Sequence, residues 1–141
     1  MILLDTDHIT LLQRAGPLGD KIRARLHLLA LADHPPTTII TYEEQIRGWT
    51  AELARAKTLA TQIEVYDRLR ATLNYFSATE IADFDIAAAT IYQQLIKRKI
   101  RIGTMDLKIA AIALSRGDTL WTRNATDYAK VPDLHILDAT R

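Results

Sequence analysis

Met1-Ile2-Leu3-Leu4-Asp5-Thr6-Asp7 opens the chain. A short unbroken apolar run ended by Asp-Thr-Asp is the pattern of a central parallel strand, buried on both faces. Acids just beyond such a strand lie at the carboxyl edge, where an open α/β sheet places its chemistry. Three more acids hold comparable places. Glu44 follows the run Thr37 to Thr41, Asp106 opens the Ala/Ile-rich segment that continues to Leu114, and Asp127 follows the run Thr119 to Trp121. Four such side chains drawn from distant segments cannot all stay ionised in a small cleft unless a cation joins them. The pattern points to a divalent-metal enzyme, with Asp5, Glu44, Asp106 and Asp127 as candidate metal ligands and catalytic acids.

Outward from this frame, strand and helix alternate, which predicts an α/β chain with helices on both faces of a mostly parallel sheet of four to five strands. After the first strand, His8 to Arg14 reads as a short helix stopped by Gly16-Pro17, and a second helix follows Asp20 to about residue 31. The β-branched stretch Thr37 to Thr41 reads as the second strand, with Thr41 and Glu44 at capping-box spacing and Gly48 ending or tightening the helix they start. Leu59, Ile63, Tyr66, Leu69 and Leu73 recur at helical spacing, predicting one long amphipathic helix from Glu52 to Phe76. Thr79 to Ile81 reads as a weak third strand, and Asp85 as the N-cap of a helix through Ile96. Met105 to Leu114 is apolar nearly all round, so it reads as a buried helix. Thr119 to Trp121 and His135 to Leu137 complete the strands.

The chain has 141 residues, 48% of them hydrophobic and 25% charged, which fits one folded domain over 1–141 and excludes a disordered or collagen-like chain. Cysteine is absent, so no disulfide, thiolate metal site or thiol nucleophile exists. The N-terminal apolar run is far too short for a signal-peptide core, and no stretch approaches the roughly 20 residues of a membrane span. The cytoplasm is the expected location. The net charge of +1 conceals basic clusters at Lys21, Arg23 and Arg25 and at Lys97, Arg98, Lys99 and Arg101. Basic clusters beside an acidic centre suit a polyanionic substrate, and equally form solvated helix faces.

Magnesium and manganese prefer carboxylates and water at about 2.0 to 2.1 Å, and one or a pair of such ions clamps a phosphodiester during hydrolysis. Each acid also has a structural alternative: Asp5 and Glu44 as caps, Asp106 as a helix N-terminal charge, Asp127 as a solvated side chain. The four histidines show no zinc-binding spacing, and no nucleophile elbow, phosphate-binding loop or dinucleotide fingerprint is present. Asp5-Thr6-Asp7 also resembles the opening of haloacid-dehalogenase phosphatases, with Asp5 as nucleophile and Asp7 as acid. That family wants a later acid pair, and none stands near Trp121.

Together, Leu3-Leu4-Asp5-Thr6-Asp7, Ile40-Thr41-Tyr42-Glu43-Glu44 with Gly48, Ile102-Gly103-Thr104-Met105-Asp106, and Leu120-Trp121-Thr122-Arg123-Asn124 with Asp127-Tyr128 resemble a PIN-domain ribonuclease of the VapC toxin type. The resemblance spans essentially the whole chain. It implies a three-layer α/β/α PIN-like domain and a Mg²⁺- or Mn²⁺-dependent endoribonuclease acting on transfer, ribosomal or messenger RNA, a toxin neutralised by a small antitoxin. By position it implies Asp5 and Asp106 as principal metal ligands, Glu44 as the residue completing the shell, Asp127 as fourth acid, and Thr6, Thr122 and Asn124 in support. It further implies a homodimer, and an antitoxin lying over the early helices, 18–31 and 52–76. Asp7 stands where that family often has Asn, Gln45 where an apolar residue commonly follows the glutamate, and Asp83 where Pro is frequent. A PIN module that has lost turnover and survives as an antitoxin-binding component is the alternative from the binding class.

Overall fold

The computed structural model describes residues 1–31 and 34–141. Its elements run β1 (Ile2–Leu4), α1 (Thr6–Leu12), α2 (Pro17–Leu28), β2 (Thr37–Thr38), α3 (Ile39–Arg55), α4 (Leu59–Ser77), β3 (Ile81–Ala82), α5 (Ile86–Lys97), α6 (Thr104–Arg116), β4 (Thr119–Trp121), α7 (Ala125–Tyr128) and β5 (Ile136–Leu137). The five strands form one sheet in the order β3-β2-β1-β4-β5, parallel at every pairing. The opening strand is thus the middle one, as its unbroken apolar sequence predicts.

Alternation along each strand feeds two cores. Leu3 and Leu120 join the cluster built with α5 and α6, while Leu4 and Trp121 join the one built with α1, α2 and Phe76 of α4. Residues 109–113 of α6 are wholly buried, and Ala110, Ala111 and Ala113 let its backbone lie close to its neighbours. Gly117 ends α6 at φ 68, a left-handed position that glycine adopts without strain, and turns the chain into β4.

Several boundaries differ from the sequence expectation. Helix α1 begins at Thr6 rather than His8, because Asp5 already accepts the Thr6 N–H. Helix α2 begins at Pro17, whose fixed φ suits a first helical turn, and not after Asp20. Strand β2 is only Thr37–Thr38, since the Thr38 hydroxyl caps α3 by accepting the Thr41 N–H; Thr41 is inside the helix and Glu44 closes no capping box. Gly48 lies within α3 rather than ending it.

The expected long helix from Glu52 is two helices. α3 ends at Arg55, Ala56 is extended, and Thr58 caps α4 through the Thr61 N–H. The Asp85 cap of α5 is as read, accepting from the Ala88 N–H at 3.0 Å. β3 and β5 each start later than expected, at Ile81 and Ile136, and α7 was not foreseen. Among the described residues, no helix is long and apolar enough to cross a membrane.

Candidate active site

Strand order reverses direction at β1. From there the chain fills the sheet outward through β2 and β3, then returns to the other side through β4 and β5. The crevice at the carboxyl ends of β1 and β4 is the switch point where open α/β sheets bind ligands. Asp5 is the first residue beyond β1 and Thr122 the first beyond β4.

Asp5 is 5% exposed. Its Oδ1 accepts the Thr6 N–H at 2.8 Å and its Oδ2 accepts the Thr122 hydroxyl at 2.8 Å. Thr6 turns its own hydroxyl to Glu44, donating to Oε1 at 2.8 Å, and lies 3.2 Å from the Thr41 hydroxyl. The first turn of α1 and the second turn of α3 are therefore tied together through Glu44.

Asp106 sits in the first turn of α6 and accepts the Tyr128 phenol at 3.2 Å. The Asn124 side-chain amide donates to Asp127 at 3.1 Å and reaches Asp106 at 3.5 Å, so it spans the two acids. Asp127 also faces Lys130 at 3.7 Å. All four acids, and the three supporting residues Thr6, Thr122 and Asn124, thus fall into two hydrogen-bonded groups, Asp5 with Glu44 and Asp106 with Asp127, joined where the Asn124 N–H donates to the Thr122 hydroxyl at 3.0 Å.

A common field links the groups. Burial, then the charge of Asp7 with a further contribution from Asp106, pushes the Asp5 carboxyl up to about 7. Burial also raises Glu44 against the Thr6 hydrogen bond, with Asp106 adding to the rise. Asp106 is raised by burial against the Tyr128 hydrogen bond, with Asp127 and Asp7 adding repulsion. Burial and the charges of Asp5 and Asp106 raise the Tyr128 phenol as well, so it remains a donor.

Asp7, Tyr128 and His8 also contact this group of residues; the sequence reading named Asp7 and Tyr128 only within motifs and gave His8 no part in it. His8 is fully buried; its Nδ1 lies 2.8 Å from Asp7 Oδ1, and its Nε2 accepts the Ala139 N–H at 3.1 Å. With Nε2 an acceptor, the proton of the neutral ring belongs on Nδ1, which donates to Asp7. The other Asp7 oxygen accepts the Arg123 N–H at 2.9 Å. Burial alone would raise Asp7, but the bonds from His8 and Arg123 outweigh it and hold its carboxyl below the usual range. An acid held ionised is a poor proton donor, which weighs against the phosphatase assignment of Asp7.

Among the described residues, no three carboxylate or histidine side chains stand close enough to hold an ion between them. The donor set nevertheless fits magnesium or manganese. These ions take oxygen ligands, keep several waters, and are usually bound through one or two carboxylates rather than a closed protein cage. A cation would also offset the burial, and the added repulsion, that raise Asp5, Glu44 and Asp106.

No family model matches the chain. It is 41% identical over 49 residues to Ribonuclease VapC1 of Rickettsia felis, a stretch spanning 35% of this chain and 37% of that relative. In three dimensions it is similar over its whole length to the structure of VapBC-1 from nontypeable Haemophilus influenzae, with a TM-score of 0.74, 26% identity and 100% of that chain covered. It is similar also to FitAcB from Neisseria gonorrhoeae, with a TM-score of 0.69, 26% identity, and 99% of this chain and 98% of that one covered. The resemblance to the VapC type and the PIN-like α/β architecture are both borne out.

Proposed function

We propose that the chain is a metal-dependent endoribonuclease that hydrolyses RNA phosphodiester bonds, the toxin of a toxin-antitoxin pair. What carries this reading is that hydrogen bonds tie Asp5 to Glu44 through Thr6 and Asp106 to Asp127 through Asn124, while the charge of Asp106 acts on both Asp5 and Glu44. Asp5 and Asp106 would hold a Mg²⁺ or Mn²⁺ ion, with Glu44 completing the set and Asp127 as the fourth acid. The ion would supply positive charge opposite the scissile phosphate and lower the cost of deprotonating water.

The chain's own groups prepare that chemistry. Thr122 and the Thr6 N–H fix both Asp5 oxygens, Thr6 aims Glu44, and Asn124 spaces Asp106 from Asp127. In hydrolysis the attacking water loses a proton, the phosphorus–oxygen bond to the leaving ribose breaks, and that oxygen gains a proton. Glu44 is half-buried, and burial raises its carboxyl and so its basicity; it is the carboxylate we assign to accept the proton from water.

The named likenesses to VapBC structures and to a VapC ribonuclease support both the activity and a small antitoxin partner, received over α2 and α4. The protein is read as a homodimer of single PIN domains working in the cytoplasm. The test is cleavage of total RNA by the antitoxin-free protein in Mg²⁺, Mn²⁺ or EDTA, beside Asp5→Asn, with new 5′ ends mapped. Discrete metal-dependent cuts lost in the variant uphold the reading; no cuts in any condition would move it to a binding module without turnover.

A further inference from the structure

A cavity of about 660 Å³ opens between α1, α2, α3 and α4. None of the four acids lines it. Gln45, the residue after Glu44, does, and its amide exchanges hydrogen bonds with that of Gln13 at 2.8 and 3.0 Å, bridging α1 to α3.

The lining has a definite chemistry. Trp49 donates its indole N–H to the Thr72 hydroxyl at 3.0 Å, and the Arg68 guanidinium lies 5.6 Å from the centre of its ring. Arg14 and Arg23 line another part, and Arg23 is braced by the Leu12 carbonyl at 2.6 Å. The cavity is thus lined by Arg14, Arg23 and Arg68 and by one acid, Glu52. Arg23 also pairs with Asp20 at 3.1 Å, and Glu52 with Arg55 at 2.7 Å, which leaves Arg14 and Arg68 without a carboxylate partner among the described residues. Tyr75 also lines the cavity, and its hydroxyl is buried with no hydrogen-bond partner among the described residues. Burial pushes this phenol up to about 12 against the pull of Arg23, so it is a standing donor with the Arg23 charge acting on it.

A buried hydroxyl without an acceptor is rare and costly. An acceptor that also answers a surplus of guanidinium groups is an anion, and a carboxylate suits both donors. We propose that this cavity is a recognition pocket for an acidic side chain, glutamate or aspartate, carried by a protein segment that docks across α1 to α4. RNA is the weaker fit, because its charge lies on the backbone and the groups able to enter a pocket, the bases, are neutral. The proposal rests on the toxin reading for one thing only: the segment would then belong to the antitoxin.

The test uses the full chain in EDTA, titrated with the blocked dipeptide acetyl-Phe-Glu-amide and its Gln counterpart. The Trp49 indole N–H resonance reports on the pocket, with the buried Trp121 as reference. The expected result is a saturable shift with the Glu peptide and binding about tenfold or more weaker with the Gln peptide, the scale of one charge-assisted hydrogen bond. Tyr75→Phe, which keeps the ring, should remove most of the preference, as should Arg23→Gln, while Lys97→Gln should leave it unchanged. Equal affinity for the two peptides, no saturable shift, or tighter binding of octauridylate at the same resonance overturns the proposal. Because no cleavage is read, it can fail while Asp5→Asn upholds the nuclease, and the reverse.

Discussion

Thr122 donates its hydroxyl proton to Asp5 at 2.8 Å across 117 positions of sequence, and the same oxygen accepts the Asn124 N–H at 3.0 Å. One buried threonine thereby sets both the first acid and the turn that carries the amide between the other two.

Thr122→Val removes the donor and the acceptor together at a site 1% exposed. It should cost about 1 to 3 kcal/mol in urea unfolding and reduce cleavage about tenfold or more, whereas Thr122→Ser should restore most of both. A valine variant with unchanged stability and cutting would show the contact to be idle.

The raised Asp5 makes metal-free stability depend on pH in a fixed direction. Its carboxyl titrates near 7 in the folded chain against an ordinary 3.8, so the folded state holds an extra proton between those values. Stability from this group is fully present below about pH 4 and is lost as pH rises through about 7, by on the order of 4 kcal/mol. Unfolding measured in EDTA from pH 4 to 8 should show the decline, and Asp5→Asn, which can still accept from Thr6, should flatten it. A wild-type profile that rises across this range contradicts the assignment.

On the metal-dependent reading, protons and a divalent ion would compete for the same carboxylates. Mn²⁺ affinity read by calorimetry should weaken by up to about tenfold per unit as pH falls below 7. The melting temperature should rise more on adding Mg²⁺ or Mn²⁺ at pH 8 than at pH 6. Equal gains at both would place the ion elsewhere.

Gly19 offers a test remote from the acids. A Cβ there would stand 2.6 Å from the Leu11 carbonyl oxygen, backbone that cannot swing away. Gly19→Ala should force α1 and α2 apart and destabilise the fold by about 1 to 3 kcal/mol or more, visible as a lowered urea midpoint. Gly48→Ala, with open space around its Cβ, is the matched control and should be neutral or stabilising.

The parts of this architecture legible in sequence were those with a local cause. β1 and β4 were read to the residue because their apolar runs end abruptly at polar residues, and the start of α5 because Asp85 is a strong cap. The break between α3 and α4 was hidden because apolar spacing continues across it; the signal was the Thr58 cap, outweighed by periodicity. Strand β2 was read too long because β-branched Ile39 and Ile40 favour strands, and the cap at Thr38 overrides that propensity.

At the candidate centre, Asp5, Glu44 and Asp127 were singled out from their places after apolar runs, and Asp106 as the acid that opens a buried helix. The role of Asp7 was not, since it depends on His8 being buried and on the Arg123 N–H, a residue 116 positions away. Tyr128 was seen only as part of a motif, and its contact with Asp106 needs α7, a helix of 4 residues too short to show a period.

The Ala139 N–H closes on His8, and Thr122 closes on Asp5, so the earliest and latest parts of the chain complete the centre jointly. During vectorial synthesis β1 is made before β4 and β5 and must wait for them to pair. Until then Asp5 lacks its threonine, Asp7 its clamp, and the acids are strangers. On the nuclease reading proposed above, a nascent chain would therefore lack its assembled centre until β4 and β5 have paired.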